Sequence, residues 1–528
     1  MTNSNQKHSG PLVSVLISTY NRPQYVCEAL ESILCQTYSN LEIILVRDGG
    51  TMVRDVISKF DDPRLIFIDR DENHGLAYSF NEALSRAKGD YICYLGDDDI
   101  FYPHHVEVLV NVLEGQDEYE VAYSDLYKTH CRFGKKGERI VLSKNVEISR
   151  DFSRMTMFRF NHTLHVSIIH RRDLLERAGG YNENLNVLID WDLTRRLCFY
   201  SDFKHIYNLT GEYYAPVGDC DRISVQGRKN VKEFMRNLLM IRSTRPPGPW
   251  PKVKDLSIIL LAESPDESLR KTLRTIWMHS FYPHQIYVPL PREEFDSFCT
   301  VVPNVLGVPV KATSSQAEKF DAALKYCEGD YLAYVPSNYS ISVEDDERPW
   351  IETALQPLLD GNDPDQAFEL LYSNEKCWAA VLSREQIERT RKQYGHLGVR
   401  ESVTAAGIRL RKPQTGEFPL QFDCWVTEAE EAELQGDWVR AFEIFEYLYK
   451  NYRNEYWMKS RCANALYHSG NYDRALKMSG ELNERRPTAA TLLIEARAHR
   501  KKSDFKYAIK LFEQAENILK ERELAWTL

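Results

Sequence analysis

Between residues 13 and 95 short apolar runs alternate with amphipathic stretches, and this alternation limits the possible folds more than any other feature of the chain. Residues 13–17 form an apolar run of the kind that makes a buried strand. Ser18-Thr19-Tyr20-Asn21-Arg22-Pro23 breaks it, and Val26, Leu30, Ile33 and Leu34 then recur at helical spacing. Residues 41–46 and 65–68 read as the next strands, the first running on to Asp48-Gly49-Gly50. Asn73-His74-Gly75 reads as a turn, Leu76, Phe80, Leu84 and Ala87 as a helix face, and residues 91–95 as a fourth strand. Strands separated by helices imply an α/β fold with a mostly parallel, doubly wound sheet. Ligands of such sheets bind outside the carboxyl ends of the strands. Tyr20, Asp48 and the acids at 97–99 all follow strand ends, so they are expected to share one crevice.

The fourth strand runs directly into Asp97, Asp98 and Asp99. Three adjacent carboxylates repel one another and need a counter-charge. A hard divalent cation with oxygen ligands supplies one, and a cation at the end of a buried strand can also hold a diphosphate. The triplet therefore points toward sugar-nucleotide chemistry, with a solvated acidic turn as the alternative.

A chain of 528 residues exceeds one ordinary domain, and about three or four are expected. The formal charge of −10, from 67 basic and 77 acidic residues, argues against nonspecific nucleic-acid binding. Eleven cysteines without a Cys-x-x-Cys pair fit reduced thiols in a cytoplasmic setting. The first ten residues have no apolar core, so no signal peptide is expected. No stretch approaches the ~20 apolar residues of a membrane span.

In order and spacing, Val15-Leu16-Ile17-Ser18-Thr19-Tyr20-Asn21-Arg22, Val46-Arg47-Asp48-Gly49-Gly50, Asn73-His74-Gly75, Gly89-Asp90-Tyr91 and Leu95-Gly96-Asp97-Asp98-Asp99 resemble the inverting family 2 glycosyltransferases with a GT-A fold. The resemblance implies that Thr19, Tyr20, Asn21, Arg22, Asp48 and Asp97 bind the nucleotide sugar. Tyr20 would cover the base and Asp48 accept from a pyrimidine imide, which favours a UDP-sugar or dTDP-sugar donor. Asp97 would contact the ribose. Asp98, with Asp99 beside it, would hold Mn²⁺ or Mg²⁺, neutralising the departing diphosphate; the other reading of Asp99 is a turn residue. Two positions depart from the family pattern. Gly96 stands at the first acid of the Asp-x-Asp motif, and Arg47 replaces the first acid of the Asp-Asp-Gly-Ser motif.

Further along, residues 165–170 read as a strand and 172–178 as a helix, followed by the turn Gly179-Gly180-Tyr181. Ile189-Asp190-Trp191-Asp192-Leu193 resembles the family's Glu-Asp-Trp-Asp-Leu segment, which implies that Asp190 is the catalytic general base. The plain alternative is a helix N-cap. Asp192 reads as a helix-start residue. Arg222 falls where the family often carries a loop over the diphosphate, and it or Arg228 is expected to meet phosphate oxygens. His162 and His165 read as core or edge residues rather than metal ligands.

The pattern then recurs. Leu256-Ser257-Ile258-Ile259-Leu260-Leu261 matches residues 13–18, and His279-Ser280-Phe281 matches Gln36-Thr37-Tyr38 at the same offset of 243. Gly329-Asp330-Tyr331-Leu332-Ala333-Tyr334 repeats residues 89–94. The chemistry is absent: Ser337, Asn338 and Tyr339 stand in place of the three acids, and residues 403–406 offer none opposite Asp190. A third region repeats with alanines at 441, 475 and 508, spaced 34 and 33 residues apart, each three positions after an aromatic. This period resembles tetratricopeptide repeats, in which such aromatics fill the core.

The expected organisation is thus a catalytic GT-A domain over 11–245, a degenerate GT-A-like α/β domain over 253–412, and an all-α tetratricopeptide-like domain over 423–528. The middle domain would orient the acceptor, mediate a homo-oligomer or brace the first. The expected activity is metal-dependent, inverting sugar transfer to a protein or peptide acceptor held by the repeats. Two alternatives are synthesis of a cell-surface or lipid-linked glycan, and a non-catalytic scaffold.

Overall fold

The structure is a computed structural model that describes residues 10–133, 138–147, 149–216, 230–298, 304–337, 351–361, 367–370, 378–411 and 428–523, apart from 430–431, 434, 452–455 and 486. By compactness the chain divides into two units. One comprises residues up to 157, 161–234 and the helices after 425; the other comprises 158–160 and 235–424.

In the first unit β1 (Val13–Thr19), β2 (Leu41–Asp48), β3 (Leu65–Arg70) and β4 (Tyr91–Gly96) lie parallel, β1 pairing Val13 with Leu41 on one side and with Tyr91 on the other. The crossovers carry α1 (Pro23–Leu34), α2 (Arg54–Ile57) and α3 (Leu76–Arg86). Pro23 opens α1 at its first turn, where a missing N–H costs nothing. Val15, Ile17, Val26, Leu30, Ile33, Ile43, Leu45 and Leu95 form one buried cluster, each side chain stabilising the fold by about 1.5–3 kcal/mol.

After β4 come β5 (Ile100–Phe101), α4 (His105–Gly115), β6 (Tyr119–Phe133), β7 (Arg139–Glu147), α5 (Arg154–Arg159), β8 (Ile168–Arg171), α6 (Leu174–Ala178), α7 (Ile189–Leu197) and β9 (Asp202–Pro216). The sheet order is β3-β2-β1-β4-β8-β6-β9-β5, with β7 beside β6. The sheet is more mixed than the sequence suggests, since β8 runs antiparallel to both β4 and β6. Residues 165–167 form a 3₁₀ turn, so the expected strand begins only at Ile168.

The second sheet contains β10 (Leu256–Leu261), β11 (His284–Leu290), β12 (Val305–Pro309), β13 (Tyr331–Pro336), β14 (Ala367–Glu369), β15 (Ala380–Ser383) and β16 (Leu410–Arg411). Its order, β12-β11-β10-β13-β15-β14-β16, follows the first sheet strand for strand through β6. The small contacts repeat as well. Gly89 N donates to Ser14 Oγ at 2.8 Å, and Gly329 N to Ser257 Oγ at 3.1 Å. Asp90 accepts from Leu12 N at 3.0 Å, and Asp330 from Asp255 N at 2.9 Å.

Helices over Trp438–Asn451, Tyr456–His468, Tyr472–Arg485, Ala489–Lys501 and Phe505–Glu523 form the C-terminal region. The repeat is visible in the backbone: Gly436, Gly470 and Ser503 all take positive φ, and Ala441, Ala475 and Ala508 are all buried. One expectation fails. Trp438 stacks on His468, but Phe505, its counterpart in the last repeat, is 58% exposed. Among the described residues no further helix follows Phe505–Glu523 to cover it.

Candidate active site

The carboxyl ends of β1 and β4 are joined by side chains. Thr19 Oγ1 donates to Asp97 Oδ2 at 2.8 Å. Arg22, on the loop leaving β1, places Nη1 3.3 Å from Asp97 Oδ1 and 3.0 Å from Asp98 Oδ2. The counter-charge that the sequence assigns to a cation is thus supplied in part by a guanidinium. Asp97 is buried. Desolvation and the neighbouring Asp98 hold its carboxyl well above the usual range, against Arg22 and Thr19. Asp98 is only partly buried and is the more open of the pair.

Asp99 does a different job. Its Oδ1 accepts from Tyr214 N on β9 at 2.9 Å. Its Oδ2 would lie 2.5 Å from a Cβ on residue 96. Gly96 is therefore explained by space: the Asp99 carboxylate folds over the point where a side chain would stand. Among the described residues no group of three or more His, Cys, Asp and Glu is placed to hold a metal. The donor set still fits a hard cation, because Mg²⁺ is commonly held by one or two carboxylates together with substrate phosphates. Asp98 offers such an oxygen, and Arg22 shows that positive charge is stable beside it.

At the end of β2, Asp48 accepts from His74 N at 2.8 Å and Gly75 N at 2.9 Å, with Arg70 Nη2 3.4 Å away. Only 2% of Asp48 is exposed, so this carboxylate fixes the turn before α3. Arg47 pairs with Asp69 and donates to Gly50 O at 3.0 Å, and in that way bridges β2 to β3. Asn21 takes φ +59° and accepts from Thr51 N at 2.8 Å. A side chain on Gly50 would strike Asn21. Tyr20 lies beside Gly50 and is 47% exposed, available to cover a flat ligand.

Asp190 is the second residue of α7, which follows Leu188 at φ +62°. It is partly exposed. Burial raises its carboxyl above the usual range, while the Trp191 N–H and Asn161 oppose the rise. Leu188, not Asp190, occupies the N-cap position, so Asp190 is not the cap. Asp192 is bound by Arg196 at 2.7 Å. Trp191 is buried, with Nε1 donating to Met157 O at 2.7 Å. Near Asp190, Tyr181 Oη meets His165 Nε2 at 2.7 Å, and His165 stacks on Tyr94 of β4. Burial lowers His165 to about 3 and His170 to about 4, so both are neutral core residues. Arg222, Arg228, Asn338 and Tyr339 lie outside the described residues. Arg70 and Asn161 touch candidate site carboxylates, and sequence reasoning missed both. Neither carries a pattern signal; Arg70 ends a strand and Asn161 sits in a loop.

A parallel sheet that gathers a threonine, an arginine and carboxylates at its strand ends is the frame of a GT-A domain. The family described as Glycosyl transferase family 2 matches residues 14–173. "Putative glycosyltransferase EpsE" of Bacillus subtilis is 31% identical over 219 residues, covering 40% of this chain and 76% of that protein. An uncharacterized glycosyltransferase of Rickettsia typhi is 30% identical over 199 residues, covering 36% of this chain and 59% of its own length. The chain thus spans under two thirds of that relative. Among solved structures, Staphylococcus aureus TarS (residues 1–349) in complex with UDP-GlcNAc has a TM-score of 0.35 at 17% identity, over 44% of this chain and 65% of that one. Mannosyltransferase PcManGT from Pyrobaculum calidifontis, in complex with GDP-Man and Mn²⁺, has a TM-score of 0.34 at 16% identity, over 45% of this chain and 66% of that one. The chain belongs to glycosyl transferase family 2. Among the described residues no helix is long and apolar enough to cross a membrane.

Proposed function

We propose that the first unit transfers a sugar from a UDP-sugar to a saccharide acceptor of a cell-surface or lipid-linked glycan. The observation that carries the donor half is the Thr19–Arg22–Asp97–Asp98 cluster at the strand ends, with the Tyr20 face exposed beside it. Tyr20 covers the base, Asp97 meets the ribose, and Arg22 is released from the carboxylates to meet the diphosphate. Asp98 would hold a divalent cation, which would supply Lewis-acid relief of charge on the leaving diphosphate. Asp99 shapes the turn by holding β9. Asp190 accepts the proton of the acceptor hydroxyl as that oxygen attacks the anomeric carbon. The C–O bond to the diphosphate breaks with its electron pair leaving on phosphate, and the configuration inverts.

The extent of the match to a relative supports the acceptor reading. EpsE matches over 219 residues, 40% of this chain, and that match already covers 76% of EpsE. A saccharide acceptor asks for no helical repeat. The repeats themselves favour a second reading, transfer to a protein or peptide. The second sheet, which repeats the strand order without the acids, is proposed as a non-catalytic brace. In it the buried Lys319 donates to Ala262 O at 2.9 Å, and Ala262 stands at the position matching Thr19. Lys319 is thereby tied to the end of β10, at the position where Thr19 meets Asp97 in the first sheet.

A hydrolysis screen of UDP-, dTDP- and GDP-sugars with Mn²⁺ or Mg²⁺ tests the donor. UDP-sugar turnover is expected, and Asp98→Ala and Asp190→Ala are each expected to lower it by about 10²–10⁴-fold with Tm unchanged. Turnover of only a GDP-sugar overturns the UDP reading, and full activity in either variant overturns the site. Transfer to isolated lipid-linked saccharides but not to peptides separates the two acceptor readings.

A further inference from the structure

The two faces of the Asp190 carboxylate are not equivalent. Oδ2 accepts from Asn161 Nδ2 at 2.9 Å. The amide that makes this bond is itself fixed, because Asn161 Oδ1 accepts from the backbone N–H of Thr163 at 3.2 Å and from its hydroxyl at 3.1 Å. Thr163 is buried. With its oxygen taken by two donors, the Asn161 amide has one hydrogen-bonding orientation, and that orientation points nitrogen at Asp190. The two residues come from separate segments: Asp190 from α7, entered through the left-handed Leu188, and Asn161 from the loop before β8.

We propose that Asn161 is the positioning residue of the transfer reaction, holding Asp190 through Oδ2 so that its other oxygen meets the acceptor hydroxyl. This inference rests on the reading of Asp190 as general base. A pinned carboxylate keeps its reactive oxygen aimed, and loss of such aim by about 1 Å can cost roughly 10²-fold. The bond also favours the ionised form, because a donor to a carboxylate lowers its pKa, and here it opposes burial. Tyr181 interacts with Asp190 and is held neutral by burial. On its own helix, Asp192 is taken up by Arg196.

The test uses the full chain, with UDP-glucose, UDP-galactose and UDP-N-acetylglucosamine offered in turn with Mn²⁺, and reads UDP release against pH. Asn161→Ala is expected to lower kcat at least about tenfold with donor KM within about twofold, and to move the acid limb up by about one pH unit. Asn161→Asp keeps the size and the acceptor for Thr163 but replaces the donor with a like charge. It is expected to move the acid limb further than the alanine variant, whereas a merely structural role predicts near-normal behaviour for this isostere. If Asn161→Ala does not fold, Asn161→Asp carries the test alone. Acid limbs that superimpose on the unaltered chain overturn the proposal. Asp190→Asn separates the two claims: an active variant overturns the base itself, while an inactive one beside unshifted Asn161 variants overturns only the positioning role.

Discussion

Asp97 is held in a place that disfavours charge. Its folded-state carboxyl titrates above the unfolded value because of burial and Asp98. The folded state therefore binds more protons between those two values, and stability falls as pH rises through that window. Asp97→Asn is accordingly expected to raise Tm above pH 7 by a few degrees, roughly 1 kcal/mol or more, and to weaken UDP binding by about tenfold or more. Differential scanning fluorimetry and calorimetric titration check the two halves. Asp190 has the same direction of shift, and a base acts only when ionised. The rate is therefore expected to fall on acidification at a pH above the ordinary carboxylate range, which a pH–rate profile checks. Much of this was legible before folding: Thr19, Arg22, Asp97 and Asp98 sit at strand ends that hydrophobic runs announce. Asn161 was not, since one asparagine in a loop has neither period nor spacing. The burial of Asp48 behind the 73–75 turn is likewise a tertiary fact.

At the scale of elements, the entry to α7 is the sensitive point. Leu188 takes φ +62°, a conformation that costs a non-glycine residue about 1–2 kcal/mol, and it sits two residues before Asp190. Leu188→Asn tolerates that backbone and should keep Tm and turnover. Leu188→Pro, with φ fixed near −65°, should lose about 3 kcal/mol and most turnover. Circular dichroism melts and the UDP-release assay decide between them. The β6–β9 ladder carries a second charge cluster, around the buried His205. His205 Nε2 lies 2.8 Å from Asp125 and Nδ1 3.3 Å from Asp151. Burial works against its protonated form, yet the two carboxylates outweigh it and raise the pKa. The stabilisation is complete below the unfolded value of about 6.5 and is lost as pH rises through the higher folded value. Melts taken across pH 6–9 should decline for the native chain and flatten for His205→Gln. These long strands were hidden in the sequence. β1, β2 and β4 are buried on both faces and read as apolar runs, whereas β9 mixes buried and half-buried residues and includes Lys204, Asn208 and Glu212 among them.

For the molecule as a whole, the two sheets share their straps but not their acids. The serine and aspartate contacts that tie strand ends together recur in both, whereas Ser337 stands where the first acid would be. One UDP per chain is expected in calorimetric titration, abolished by Asp97→Asn with Asp98→Ala; a second equivalent would contradict the assignment of the second sheet as a brace. The placement of Lys319 has a practical corollary for anyone attempting to revive that half of the protein. Grafting carboxylates after Pro336 restores only the ligands, because the ammonium group would remain lodged against the Ala262 carbonyl. A working graft must also shorten Lys319 to something like Ser79 of α3, which lies ten residues before Gly89 as Lys319 lies ten before Gly329.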